Sequence, residues 1–392
     1  MKNKKKIIII NRNEIDVFTF LFIFFMQIYF WNGATFFSEI EGENFVGFIC
    51  WFLALGLLLL NFIIRRTIPL VPLLLAFGVV VIAAYGVRYS GADVILRIAV
   101  FLFGLRDINA KKAIKYYTIS NILILVFVSA SSWLGVIENK EFLKLGKVVY
   151  TFGFINPNIV AILATVCILG YFYTHYDNLK FAQYCIGLLC MIGIYKINGS
   201  RSSLITLSIM LIFVAFDKTL NFMNAFFKFK QLQVILYLLF PFLFFFSYYI
   251  ANNYNNNIII QELNLLFSWR FYFWNYYARK FGITPFGTAY DALNIGSLDN
   301  GFLVLLYRCG AVAVILYFII FMYAIHYALM RKDRMGLIMI ICYFPFMFVE
   351  GYPIFSGVCL VIIYFCCAWW DRNNKKVDIE QIYDYKRRSM FL

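Results

Sequence analysis

Apolar residues arrive along this chain in runs of about 20, the number that spans a hydrocarbon core, and short charged stretches separate the runs. The pattern predicts helical spans near 17–37, 45–64, 68–87, 92–105, 116–136, 157–174, 181–197, 202–216, 232–250, 301–329, 335–350 and 353–370. Two connections differ from the rest. Segment 217–231 (DKTLNFMNAFFKFKQ) is basic and aromatic and is expected to lie along the membrane surface. Segment 251–300 is too long for a mere connector. It opens on a polar tract from Asn252 to Asn257, turns aromatic in SWRFYFWNYY, and ends in Gly and Pro turns. The expected architecture is one all-α polytopic domain over 1–392 with a large external loop at 251–300 and a cytoplasmic tail at 371–392.

Composition agrees with this threading. Hydrophobic residues make up 63% of the chain and charged residues 14%, more apolar surface than a soluble domain can bury. The formal net charge of +15 would suggest nucleic acid in a soluble protein. Here about two-thirds of all Lys and Arg fall in alternate loops, as positive-inside topology requires if both ends are cytoplasmic. The first external loop instead carries Glu39, Glu41 and Glu43. Met1–Lys6 and Ile7–Ile10 imitate a secretory signal. Asn11, Arg12, Asn13, Glu14 and Asp16 break its apolar stretch too early, so it reads as an uncleaved cytoplasmic N-terminus. The cysteines fall in apolar runs without CxxC spacing and read as small buried hydrophobes. His175 and His326 have no cluster of ligands beside them, so no metal or other cofactor is expected.

The informative residues are the cations that break the topology rule. Arg88, Lys140, Lys144, Lys147, Arg201, Arg270, Arg279 and Lys280 are expected outside, and Arg97 and Arg308 lie within spans near the outer surface. An intramembrane Arg costs a few kcal/mol or more unless it meets a polar cavity or partner. An outward pocket of guanidinium groups suits an anion, above all a phosphate, which accepts two parallel hydrogen bonds from the planar fork. Simpler roles compete. Arg97 can pair with Asp93 one turn earlier. Lys140, Lys144 and Lys147 suit a solvated loop face, and Arg279 and Lys280 can anchor the loop to lipid head groups. Arg308 has no acidic residue within a turn of it.

Four stretches carry a family resemblance: FGFINPN at 152–158, NGSRSS at 198–203, SWRFYFWNYYARKFGITPFG at 268–287 and SLDNGFLVLLYRCG at 297–310. Together they resemble bacterial O-antigen and capsule polymerases of the Wzy type, relatives of the O-antigen ligases. The resemblance covers most of the chain through loose motifs. It implies a multi-pass enzyme of the bacterial cytoplasmic membrane, with both termini cytoplasmic, that transfers glycan from undecaprenyl diphosphate to another lipid-linked repeat unit without a nucleotide sugar or metal. Partners implied are the undecaprenyl-diphosphate-linked oligosaccharide, membrane lipid, a chain-length regulator and a flippase. Carried over, Arg201 and Arg270 contact the diphosphate, and Arg279 joins them. Arg308, Arg97 and Arg88 are further cations for that site, with Asn300 beside it. Asp299 stands where ligases tend to have His, which favours polymerase over ligase and makes Asp299 the candidate base.

The chemistry is coherent on general grounds. Breaking the anomeric C–O bond leaves a diphosphate, so positive charge is needed where negative charge develops, and a carboxylate can accept the attacking hydroxyl's proton. Trp274 and its aromatic neighbours at 269–277 suit stacking on sugar rings, or equally an interfacial belt. Asn156 and Pro157 suit a helix cap and first turn, and Asp299 suits an N-cap of the following helix. A ligase with a different acceptor and a flippase for the same lipid-linked intermediates are the rival readings. Intramembrane charge clustered near one surface and a large late external loop weigh against transport.

Overall fold

The computed structural model describes residues 12–41, 45–65, 70–90, 92–106, 108–144, 146–289 and 298–371. The two expected cytoplasmic ends, together with Glu43, lie outside the described residues, as does the side chain of Lys144. The chain runs through α1 (Arg12–Asn32), α2 (Phe37–Glu41), α3 (Phe45–Arg65), α4 (Leu70–Ser90), α5 (Val94–Gly104) and α6 (Ala110–Trp133). A hairpin of β1 (Glu141–Lys144) and β2 (Lys147–Tyr150) follows, with Glu141 opposite Tyr150. Then come α7 (Pro157–His175), α8 (Phe181–Asn198), α9 (Arg201–Leu220), α10 (Met223–Lys228), α11 (Lys230–Asn253), α12 (Ile258–Leu266) and α13 (Arg270–Lys280). The last elements are α14 (Gly301–Val304), α15 (Ala311–Arg331), α16 (Arg334–Val349) and α17 (Leu360–Asp371).

Among the described residues, six helices (α6, α7, α8, α9, α11 and α15) are long and apolar enough to cross a bilayer. Six shorter apolar helices lie within α1, α3, α4, α5, α16 and α17. Each expected span therefore overlaps a helix, although 353–370 becomes regular helix only at Leu360 and 301–329 is broken. Large apolar side chains such as Phe52, Leu59, Phe77, Leu189, Phe242 and Phe245 point away from the protein. So much contiguous exposed apolar surface suits lipid as the solvent. The protein is an all-α polytopic membrane protein.

At the centre stand α7, α16 and α17, whose side chains are mostly buried. Between α16 and α17 the chain is not regular helix. Residues 350–359 cross the interior with a short 3-10 turn at Tyr352–Ile354. Their backbone carbonyls need donors where no water reaches. Buried tyrosine hydroxyls supply them: Tyr117 donates to the Ser356 carbonyl at 2.9 Å, Tyr343 to that of Val358 at 2.5 Å, and Tyr317 to that of Ile354. The Tyr343 hydroxyl also accepts from the Leu360 amide at 3.0 Å, which starts α17. This braced segment carries Glu350 at its head.

Three expectations change in detail. The span expected over 301–329 is one run in sequence but two helices in space: a π-helical stretch at Leu305–Cys309 follows α14, and Gly310, at φ +93°, turns the chain before α15. The segment 251–300, expected to be external, holds two short helices among its described residues, α12 and α13. The stretch after α6 forms a hairpin, and the FGFI segment beyond it bonds to the α1–α2 connection through Phe36 N to Gly153 O (3.0 Å) and Ile155 N to Ala34 O (3.1 Å). Some of the basic residues expected on the inner face lie at one end of the bundle, where Lys111 pairs with Asp177 at 2.8 Å and Arg334 with the buried Asp217 at 3.3 Å. The site lies at the opposite end.

Candidate active site

The site begins with three turns. Asn198 ends α8, Gly199 takes the left-handed conformation (φ +61°) at its C-cap, and the Ser200 hydroxyl caps α9. Buried Asn198 donates to the Pro157 carbonyl at 3.1 Å, so NGSRSS is tied to NPN. Asn156 and Pro157 play the cap and first-turn roles expected of them, Asn156 Oδ1 accepting from Asn158 N at 2.8 Å. The second turn joins α12 to α13. Ser268 and Trp269 both lie at positive φ, +55° and +65°, a strained pair for residues with a Cβ. Buried Asn264 holds them: its Oδ1 accepts from Phe271 N at 2.9 Å and Tyr272 N at 3.3 Å, and its backbone carbonyl accepts from Trp269 N at 2.9 Å. The third turn is Leu298–Asn300. Buried Asn300 caps α14, accepting from Leu303 N at 2.9 Å, and donates to the Ser247 hydroxyl (3.0 Å) and the Phe348 carbonyl (2.9 Å).

These turns bring Arg270, Asp299 and the head of segment 350–359 together. The Arg270 guanidinium donates from Nη2 to Glu350 Oε1 at 2.9 Å and from Nη1 to the Val349 carbonyl, while its Nε lies 3.6 Å from Asp299 Oδ2. The Ser202 hydroxyl donates to the same Glu350 Oε1 at 2.6 Å. The Glu350 side chain is 2% exposed and that of Asp299 is 23% exposed. One carboxylate is fixed in the floor and the other stands at the cavity wall. Burial pulls the Arg270 pKa down, but the charges of Glu350 and Asp299 outweigh it and the net shift is upward, so the cation is secure. Tyr352 feels the charges of both this group and Arg308. Burial and the Asp299 and Glu350 charges push its hydroxyl up to about 12, against an opposing pull from Arg308.

A cavity of about 510 Å³ opens here, within the range of small-molecule sites. Its polar lining includes Asn158, Ser200, Arg201, Arg270, Asp299 and Glu350. Its rim is apolar: Leu143 of the hairpin, Ile205 of α9 and Leu266 of α12 all line it and are exposed. Arg201 is exposed at the mouth and reaches the Leu266 carbonyl at only 3.4 Å. Two guanidinium groups, two carboxylates and serine hydroxyls thus face one space. The arrangement can bind an anion and accept a proton within the same cavity.

Of the expected site residues, Arg201, Arg270 and Asp299 converge, and the others stand elsewhere. Asn300 is a fastening beneath the cavity, and it takes the capping role expected of Asp299. Trp274 is fully buried against Phe271 and Phe348, so its ring is core and not a sugar platform; the exposed Trp269, Tyr272 and Tyr276 keep that possibility. Arg97 has the simpler role. It pairs with Asp93 at 2.5 Å, and Tyr29 donates to the same carboxylate at 2.9 Å. Arg88 is exposed at the end of α4, and Arg308 lies in the π-helical stretch with its guanidinium 6.0 Å from the Phe355 ring; neither lines the cavity. Arg279 ends α13 and clamps Asn255 once that amide is turned with its oxygen toward the guanidinium. Arg279→Ala should therefore leave inorganic diphosphate affinity within about twofold of wild type, as calorimetry on the purified protein would read.

Glu350 was missed by the motif reading. Its signal was present: it is the only charged residue between Arg334 and Asp371, and a lone carboxylate in so apolar a stretch marks a functional position. Among the described residues no group of three or more His, Cys, Asp or Glu side chains lies together. No family model matches the chain, and no curated protein or solved structure is significantly similar to it.

Proposed function

We propose that the protein is a polysaccharide polymerase that transfers glycan from a lipid diphosphate to another lipid-linked repeat unit at the outer face of the bacterial cytoplasmic membrane. The convergence of Arg201, Arg270 and Asp299, from three distant motifs, in one cavity carries this reading. The polar floor and apolar rim suit an amphiphile with an anionic head better than a soluble anion. The N- and C-termini are then cytoplasmic, since the cavity lies at the end away from the basic cluster and positive-inside bias puts that cluster in the cytoplasm.

In the reaction, the acceptor hydroxyl oxygen bonds to the anomeric carbon as that carbon's bond to the diphosphate oxygen breaks. The hydroxyl proton passes to the Asp299 carboxylate, and the lipid diphosphate leaves with the bonding electrons. Arg270 and Arg201 stabilise the charge that grows on it. Arg270 is already aligned, so it needs no reorganisation as that charge develops.

The test uses lipid-linked repeat units as sole substrate for the purified protein in liposomes. Wild type should produce a ladder of glycan lengths, and Asp299→Asn should lower the rate about 100-fold or more while inserting normally. A ladder at wild-type rate from Asp299→Asn would remove Asp299 from the chemistry, and no ladder from wild type would remove the polymerase reading.

A further inference from the structure

Arg270 is shared unequally between two carboxylates. Its grip on Glu350 is short and buried, and is backed by Ser202 and the Val349 carbonyl. Its contact with Asp299 is longer, 3.6 Å, and closer to solvent. We infer that Glu350 is the positioning residue of the site: it holds the guanidinium on the cavity floor, so that Asp299 stays beside the cation without being locked to it. The inference rests on the proposed transfer reaction and adds a division of labour that the motifs do not contain.

The physical argument concerns what two carboxylates do to one cation. A guanidinium offers five N–H donors in a rigid plane, and the edge already engaged fixes the orientation of the others. With Nη1 and Nη2 held by the Val349 carbonyl and Glu350, the plane is anchored with its Nε edge 3.6 Å from Asp299, too far for a side-on forked pair. Such a pair would hold both Asp299 oxygens and leave the carboxylate a poor base for the acceptor hydroxyl. Glu350 also sets the charge of the cavity. With it, Arg201 and Arg270 are balanced by Asp299 and Glu350; without its charge, the cavity gains one net positive unit facing an anionic substrate.

This division gives Glu350→Gln two effects of opposite sign. The amide is nearly isosteric and its oxygen can still accept from Ser202, but the charge that anchors Arg270 is gone. Arg270 should close onto Asp299, and kcat for transfer should fall about tenfold or more. The cavity's extra positive charge should tighten inorganic diphosphate binding about tenfold. A purely structural role would weaken both together. Glu350→Asp, which restores the charge on a shorter arm, should return diphosphate affinity toward wild type and recover part of kcat.

The measurements are transfer rate in liposomes and calorimetric affinity for inorganic diphosphate, on wild type and both variants of the full chain. Loss of kcat with tighter diphosphate binding in Glu350→Gln supports the assignment. Parallel loss of both, or an unchanged kcat, overturns it while leaving the proposed reaction standing. A wild-type protein that neither transfers glycan nor binds diphosphate overturns the functional reading itself.

Discussion

Replacing Arg270 by alanine should abolish transfer and destabilise the protein in the same stroke. The side chain neutralises Glu350, which is 2% exposed and donates nothing of its own when ionised. Removing the cation leaves a buried carboxylate whose remaining side-chain partner among the described residues is the Ser202 hydroxyl, and breaking a buried pair from one side costs about 3–5 kcal/mol. The Val349 carbonyl loses its donor as well. Diphosphate affinity should drop about 100-fold or more, since a charge-assisted hydrogen bond and the long-range attraction of the cation are lost together. Thermal unfolding in detergent and calorimetry with inorganic diphosphate read the two losses separately. The double variant Arg270→Ala with Glu350→Gln should recover most of the stability, because a neutral amide tolerates the floor, and none of the transfer. An Arg270→Ala protein that unfolds at the wild-type temperature would show that the pair does not support the fold.

The double variant bears on why the site looks as it does. A cation alone on the cavity floor would bind diphosphate, but it would also be mobile and badly solvated. A carboxylate beneath it solves both problems and creates a third, since the pair cannot be removed in halves. The non-helical segment 350–359 is what allows Glu350 to sit there. Its carbonyls are satisfied by tyrosines from three different helices, α6, α15 and α16, so the floor is held by the packed centre of the bundle and not by the loops around the mouth.

The spans were readable because lipid imposes one requirement on every helix, a continuous apolar stretch of sufficient length. The break at Gly310 was hidden for the same reason: both sides of it are equally apolar, and hydropathy does not register a turn in the backbone. The motif arginines divide along a similar line. Arg270 and Arg201 were identifiable because they break the positive-inside pattern and fall in SWRFYFWNYY and NGSRSS, two of the stretches that carry the resemblance. Arg97 was visible as a charge within a span, yet its purpose depended on Asp93 and Tyr29, and the Tyr29 contact crosses 64 positions in the chain. Trp274 illustrates the opposite error. Composition marks an aromatic cluster, but only the helical phase of α13 decides which rings face Phe348 and which face outward. Asp299 and Asn300 are neighbours of nearly equal shape, and the chain uses the amide as the cap and leaves the carboxylate to the cavity.

The two glycines of the 282–287 segment should respond in opposite ways to the same substitution. Gly287 sits at φ +83°, and a Cβ there would collide with the Arg308 carbonyl oxygen and meet the Cys309 carbonyl carbon at 2.8 Å. Those are backbone atoms of the π-helical stretch, which cannot step aside as a side chain does. The close approach is used: Thr288 N donates to the Tyr307 carbonyl at 2.9 Å, and Ala311 N and Val312 N donate to the Thr284 and Pro285 carbonyls at 3.0 and 3.1 Å. The 284–288 stretch thereby satisfies the first amides of α15 that the break at Gly310 would otherwise orphan. Gly287→Ala adds the left-handed penalty of about 1–2 kcal/mol to the loss of this docking, so a total above about 3 kcal/mol is expected. Gly282, by contrast, has nothing within 4 Å of a built Cβ, and Gly282→Ala should be neutral or raise stability by a few tenths of a kcal/mol. Unfolding temperature and monodispersity in detergent distinguish the two variants. Equal tolerance at both positions would mean that the 284–288 stretch rests beside the helix break without holding it, and that Arg308 and Tyr352 take their places without its help.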